Sequence, residues 1–121
     1  MLKPSVELRE DAGVLIAEFW DCLRLDPKPV NDLRLKYSMM SAKTGLKDLI
    51  IDMNGVDFAG SASLSGFLSL SRAIKPMGGR IVFCNVERNV AEVFQVSKLD
   101  GLFQFAGDIA AARQELGLEV G

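Results

Sequence analysis

Two short runs constrain this chain more than anything else in it. Residues 48–53 (DLIIDM) and 80–85 (RIVFCN) are apolar without alternation and contain β-branched residues. A strand with one wet face alternates polar and apolar positions. A strand without alternation is covered on both faces, as the inner strands of a parallel sheet are. Between the two runs, Leu64, Phe67, Leu68, Ser71 and Ile74 recur at helical spacing over residues 63–75, and Pro76 with Gly78-Gly79 ends that helix. Strand, helix and strand in that order predict an α/β architecture with a largely parallel sheet.

The flanks extend the pattern. Residues 5–9 form a weak strand with Val6 and Leu8 alternating, Asp11-Ala12-Gly13 is a turn signal, and residues 14–20 form a stronger strand. These two strands are predicted to pair as an antiparallel hairpin at one edge. Residues 22–25 continue the second strand or form a short extra one. The DPKP at 26–29 breaks the pattern, because proline fixes φ and lacks an N–H. Val30, Leu33, Tyr37 and Met40 then mark one face of a helix that stops near Thr44-Gly45, where glycine suits the C′ position. Residues 87–96 read as a short helix with Val90, Val93 and Phe94 inward, and residues 102–105 as a short strand. Gly107-Asp108 caps a last helix with Ile109, Ala112 and Leu116 on one face. The expectation is a single α/β domain over residues 1–121, with a mixed, mostly parallel sheet of four to six strands and about four helices.

Composition narrows the function. About half the chain is hydrophobic, enough for a core without staples. A net charge of −2 offers no basic surface to nucleic acid. No apolar run reaches membrane-spanning length, and the N-terminus MLKPSVELRE has no apolar h-region, so a cytoplasmic protein without membrane insertion is expected. Cys22 and Cys84 lie far apart, outside any CxxC spacing, and read as buried reduced thiols within strands. The chain has no histidine, which removes the commonest general base and metal ligand and excludes Ser-His-Asp, Cys-His and His-based zinc chemistry. Neither G-x-G-x-x-G nor GxxxxGK[ST] occurs, and no metal or cofactor is expected. Trp20 and Tyr37 read as core or half-buried aromatics, and Met39 and Met40 as core filler or helix surface.

Residues 57–66, DFAGSASLSG, are the distinctive stretch. They fall between the carboxyl end of the central strand and the start of the next helix, where open α/β sheets bind ligands and partners. The first turn of a helix has unpaired N–H groups and a partial positive charge. One reading is N-capping, in which Gly60 or Ser61 ends the strand and a hydroxyl accepts a first-turn N–H. Another is phosphorylation of a serine, with the phosphate held by the helix start. A third is a small α/β enzyme or ligand-binding domain using Ser61 or Ser63 with Asp52 or Asp57. No base is evidently paired with those serines, and a serine without one is a poor nucleophile.

The run IDMNGVDFAGSASLSGFLSL, followed by GGRIVFCNV and a terminal helix, resembles the STAS domain of anti-sigma factor antagonists and their relatives. Asp52 matches the family's Asp at the end of the central strand, Val56 and Phe58 its apolar positions, Ser61 its first serine, and Leu64 the leucine of the helix start. Gly60 stands where the family has Asp, Ala62 where it has the phosphorylated Ser or Thr, and Ser63 and Ser65 replace two glycines. The segment WDCLRLDPKPV is longer and odder than the family pattern.

The resemblance implies a regulatory protein–protein interaction module. Its partner is an anti-sigma factor that is also a serine kinase, which binds the unphosphorylated antagonist and releases it on phosphorylation. Ala62 cannot accept a phosphate, so the usual switch is absent or moved to Ser61 or Ser63. The implied partner surface comprises Asp57, Gly60, Ser61, Ala62, Ser63, Leu64 and Ser65, extended by the loop at 85–89 and by Ser69 and Arg72. A free-standing cytoplasmic STAS subunit of a lipid or anion transporter is the alternative within the binding class.

Overall fold

The computed structural model describes residues 3–118. In chain order the elements are β1 (Ser5–Asp11), β2 (Val14–Trp20), β3 (Arg24–Leu25), α1 (Pro27–Thr44), β4 (Leu49–Asp52), β5 (Phe58–Ala59), α2 (Ser61–Ile74), β6 (Ile81–Cys84), α3 (Arg88–Val96), β7 (Gln104–Ala106) and α4 (Ile109–Glu115). The main sheet has the order β1-β2-β4-β6-β7. β1 and β2 pair antiparallel at one edge, and the other neighbours are parallel. A separate two-stranded sheet joins β3 to β5 in parallel. The expected α/β architecture, edge hairpin included, is the one observed.

The hairpin turns at Ala12-Gly13, both with positive φ, between the paired Asp11 and Val14. Such a two-residue turn matches the right-handed twist of its strands. The Arg113 guanidinium, from α4, donates to the carbonyls of Asp11 and Ala12 at 3.0 and 2.9 Å and pins the turn from below.

Alternation along the inner strands sends residues to two cores. Leu15, Ala17, Leu49, Ile51 and Phe83 face α1, α2 and α3, while Val14, Ile16, Ile50, Val82 and Cys84 face α4. Phe83 is the hub of the larger core, with ring centroids 5.0 to 5.7 Å from Phe67, Phe94, Phe103 and Phe105. α1 and α2 cross at Gly66, where an added Cβ would lie 2.7 Å from Val30 Cγ1, so close approach requires glycine. α1 ends at Gly45 in the left-handed conformation, as the sequence suggests.

Several details differ from expectation. β5 and the small sheet were not foreseen, because two-residue strands have no periodicity to detect. Cys22 lies in the connection after β2 rather than in a strand, though both thiols are buried and free. Of the two aromatics expected to be core or half-buried, Tyr37 is core and Trp20 is 52 % exposed. Trp20 continues the face of Val14 and Ile16, beyond the part of the sheet that α4 covers. α2 starts at Ser61, not Ser63, and turns Leu70 inward while Leu68 is only partly buried. Phe103 packs inward ahead of β7, which shifts that strand to Gln104–Ala106.

Candidate functional site

The site is built where β4 stops. After Asp52 the chain buries Met53, turns at Asn54-Gly55, where Gly55 has φ +87°, and buries Val56. The amides of Asp57 and Phe58 both donate to the Leu23 carbonyl, at 2.8 and 3.1 Å, which fastens this segment to the 20–25 connection. β5 then pairs with β3, and Gly60 becomes the N-cap of α2 in extended conformation. No side chain caps α2, so the expected hydroxyl cap is not made. The first-turn amides face outward without an intrahelical acceptor.

The structure separates residues that the sequence grouped together. Ser61, Ala62, Ser65 and Asp57 are exposed, and Gly60 is half-buried. Leu64 is buried and anchors the first turn in the larger core. Ser63 is only 1 % exposed, and its hydroxyl donates to the Leu25 carbonyl at 2.6 Å. This bond ties the start of α2 to β3. A serine hydroxyl has one proton to give, and here it goes to the main chain rather than to a base. In this conformation Ser63 is closed to a kinase and to substrate, whereas Ser61 is open. Ser69 and Arg72 are exposed farther along α2, and residues 87–89 of the neighbouring loop are exposed with Asn85 half-buried.

Asp52 has a local structural role. Its Oδ1 accepts the Asn54 amide and the Asn85 Nδ2, each at 3.0 Å. Asn85 holds a left-handed φ of +53° just after β6, a conformation asparagine tolerates. The pair closes the ends of β4 and β6 beside the site. Below it, burial pushes the Cys84 thiol up to about 12, with the carboxylates of Asp52 and Asp108 adding to the effect. Burial likewise raises Cys22. Thiols held protonated in this way are poor nucleophiles. Among the described residues, no group of Cys, Asp and Glu is placed to hold a metal, and no helix is long and apolar enough to cross a membrane.

Sequence reasoning missed one neighbour of the site. A cavity of about 400 Å³ opens beside it, lined by Trp20, Asp21, Leu23, Asp52, Asn54 and others. Leu23 is 64 % exposed, and Phe58, next to it in β5, is 42 % exposed. The signal was the apolar Trp20 and Leu23 bracketing Asp21 in a segment without strand or helix periodicity.

Comparison with known proteins fits this geometry. BtrV of Bordetella bronchiseptica, which bears the name anti-sigma factor antagonist, is 27 % identical over 101 residues, covering 83 % of this chain and 84 % of BtrV. A STAS domain protein from Planctomyces limnophilus superposes with a TM-score of 0.79 at 22 % identity, over 93 % of this chain and 98 % of the other. The unphosphorylated form of the anti-sigma factor antagonist SpoIIAA gives 0.75 at 20 % identity, over 96 % and 100 %. The family model of the STAS domain matches residues 13–112, from the hairpin turn to the inward face of α4, and the chain therefore belongs to the STAS domain family.

Proposed function

We propose that this protein is a regulatory interaction module of the anti-sigma factor antagonist type, not an enzyme, and that its partner is an anti-sigma factor of the serine kinase kind. The observation that carries the reading is the outward-facing first turn of α2, where Ser61 and Ala62 stand exposed in a STAS domain. Small side chains there let a partner's backbone approach closely. Asp57 and Ser65 border the contact, Gly60 shapes the turn, and Ser63 and Leu64 hold it from beneath.

Ala62 occupies the position that the family resemblance assigns to the phosphorylated residue. A methyl group cannot take a phosphate, so the domain binds without the usual switch. Ser61 is the one remaining acceptor candidate in this turn with an accessible hydroxyl. A phosphate on it would meet the free amides of the helix start and add about −1.5 to −2 charges to the surface.

The test is capture of the tagged protein from its native cell, followed by binding with the purified kinase-type protein. Ala62→Glu should abolish binding by burying an unpaired charge, and Ala62→Ser should create a phosphorylation site visible by peptide mass spectrometry. Unchanged affinity of Ala62→Glu would remove the α2 start from the interface. Capture of a transporter in place of a kinase would replace this reading with the transporter-subunit one.

A further inference from the structure

Trp20, Leu23 and Phe58 are exposed, yet the backbone that carries them is firmly held. Cys22 Sγ lies 3.2 Å from the Trp20 carbonyl and 3.5 Å from the Ser5 carbonyl, the Leu23 carbonyl accepts two amides, and the Leu25 carbonyl accepts the Ser63 hydroxyl. Asp21 between them takes a left-handed φ of +55°, a conformation aspartate tolerates better than most side chains. The apolar side chains therefore stand in water on a rigid frame and contribute little to the core. A pre-ordered apolar surface loses little conformational entropy when it is covered.

Its rim is acidic. Asp21 and Asp52 line the cavity with Trp20 and Leu23, and Asp57 follows in the chain beside Phe58. None of these three carboxylates has an ion-pair partner among the described residues. The nearest cation in the segment, Arg24, lies over the Phe58 ring with its guanidinium carbon 4.9 Å from the centroid. Glu18, at the cavity wall, is already paired with Arg9 at 2.7 Å. A partner covering this rim with apolar or acidic groups would strand carboxylates away from water, which costs far more than leaving them exposed. A partner bringing Lys or Arg satisfies them, and the cation can also rest against the Trp20 indole.

We propose that residues 20–24 with Phe58 form a second half of the partner interface, beside the α2 start, and that this half selects a protein face whose apolar side chain is flanked by Lys or Arg. The inference rests on the docking reading above and names the partner's chemistry. The patch sets which partner binds, and the α2 turn supplies the close backbone contact.

The test uses two short peptides with the same Leu-Trp-Leu centre, one flanked by Lys and Arg and the other by Glu, titrated into the isotope-labelled protein and followed by NMR. The cationic peptide should shift the Trp20 indole and the Leu23 and Phe58 amides, and Leu23→Ser should weaken it about tenfold or more. Leu23 is solvent-facing, so this variant should keep its fold and unfolding temperature. The pair Asp21→Asn with Asp57→Lys should reverse the preference toward the Glu-flanked peptide. Equal binding of both peptides, binding of neither, or cationic binding that survives Leu23→Ser undiminished would overturn the proposal. No kinase is present in the titration, so its result is independent of whether Ala62 contacts one.

Discussion

The two ends of the sheet differ in how many apolar and charged groups they leave in water. At the amino end of the parallel strands, side chains close the main chain. The Tyr37 hydroxyl donates to the Lys47 carbonyl at 2.6 Å. Asp48 accepts the Arg80 amide at 2.9 Å and its guanidinium at 3.2 Å, and Arg80 also reaches the Leu116 carbonyl at 3.0 Å. Gly79 packs so tightly that an added Cβ would lie 2.5 Å from the Lys47 carbonyl oxygen. At the carboxyl end, the start of α2 has no side-chain cap, Trp20 and Phe58 face water, and Asp21, Asp52 and Asp57 have no ion pair among the described residues. The difference teaches where the molecule concentrates its internal hydrogen bonds and where it leaves apolar and charged groups in water.

Substitutions at each end can break or sharpen this contrast. The largest effect is expected at the closed end. Gly79→Ala places a methyl against backbone that cannot move cheaply, and should cost on the order of 2–3 kcal/mol in urea unfolding. A cost within 0.5 kcal/mol would mean that this end is looser than its distances imply.

The next pair compares one buried hydroxyl at each end. Tyr37→Phe and Ser63→Ala each leave a main-chain carbonyl without its donor, and each should cost about 1–2 kcal/mol. They should differ in reach. Ser63→Ala should also speed hydrogen exchange at the Asp57 and Phe58 amides, because the β3–β5 sheet loses its tie to α2, whereas Tyr37→Phe should leave those amides unchanged.

The smallest effect concerns the core beneath the site. The Cys84 thiol is held protonated up to about 12. A folded-state value raised above the unfolded one stabilises fully below the unfolded value of about 9 and loses that contribution as pH rises toward 12. Stability should therefore fall by roughly 1 kcal/mol between pH 8 and pH 10 from this group. Cys84→Ala should flatten that part of the pH profile in denaturant titrations, and an unchanged slope would reject the assignment.

Much of the frame could be read from residue order alone. The unalternating runs around Ile50 and Val82 require cover on both faces, and that requirement with helical stripes between them leaves few architectures besides a mixed α/β sheet. Asp108 was foreseen as an N-cap, and its Oδ1 accepts the Ala111 amide at 2.8 Å. Gly45 was foreseen as a helix stop for the same local reason. Capping and turn chemistry act within a few residues, so local sequence carries them.

The site was legible as a place but not as a surface. The sequence put Ser61, Ala62, Ser63 and Ser65 together at a helix start. Only packing decided that Ser63 points inward to a carbonyl 38 residues earlier in the chain while Ser61 faces solvent. The small β3–β5 sheet, the Arg113 clamp on the hairpin turn and the exposure of Trp20 are likewise tertiary outcomes. Each depends on which distant backbone passes nearby or where a covering helix ends. Sequence by itself determined the alternation of strands and helices, because hydrophobic periodicity is a local property. Tertiary structure decided which hydroxyls, aromatics and carboxylates remain in contact with water, because exposure depends on chain segments that periodicity does not connect.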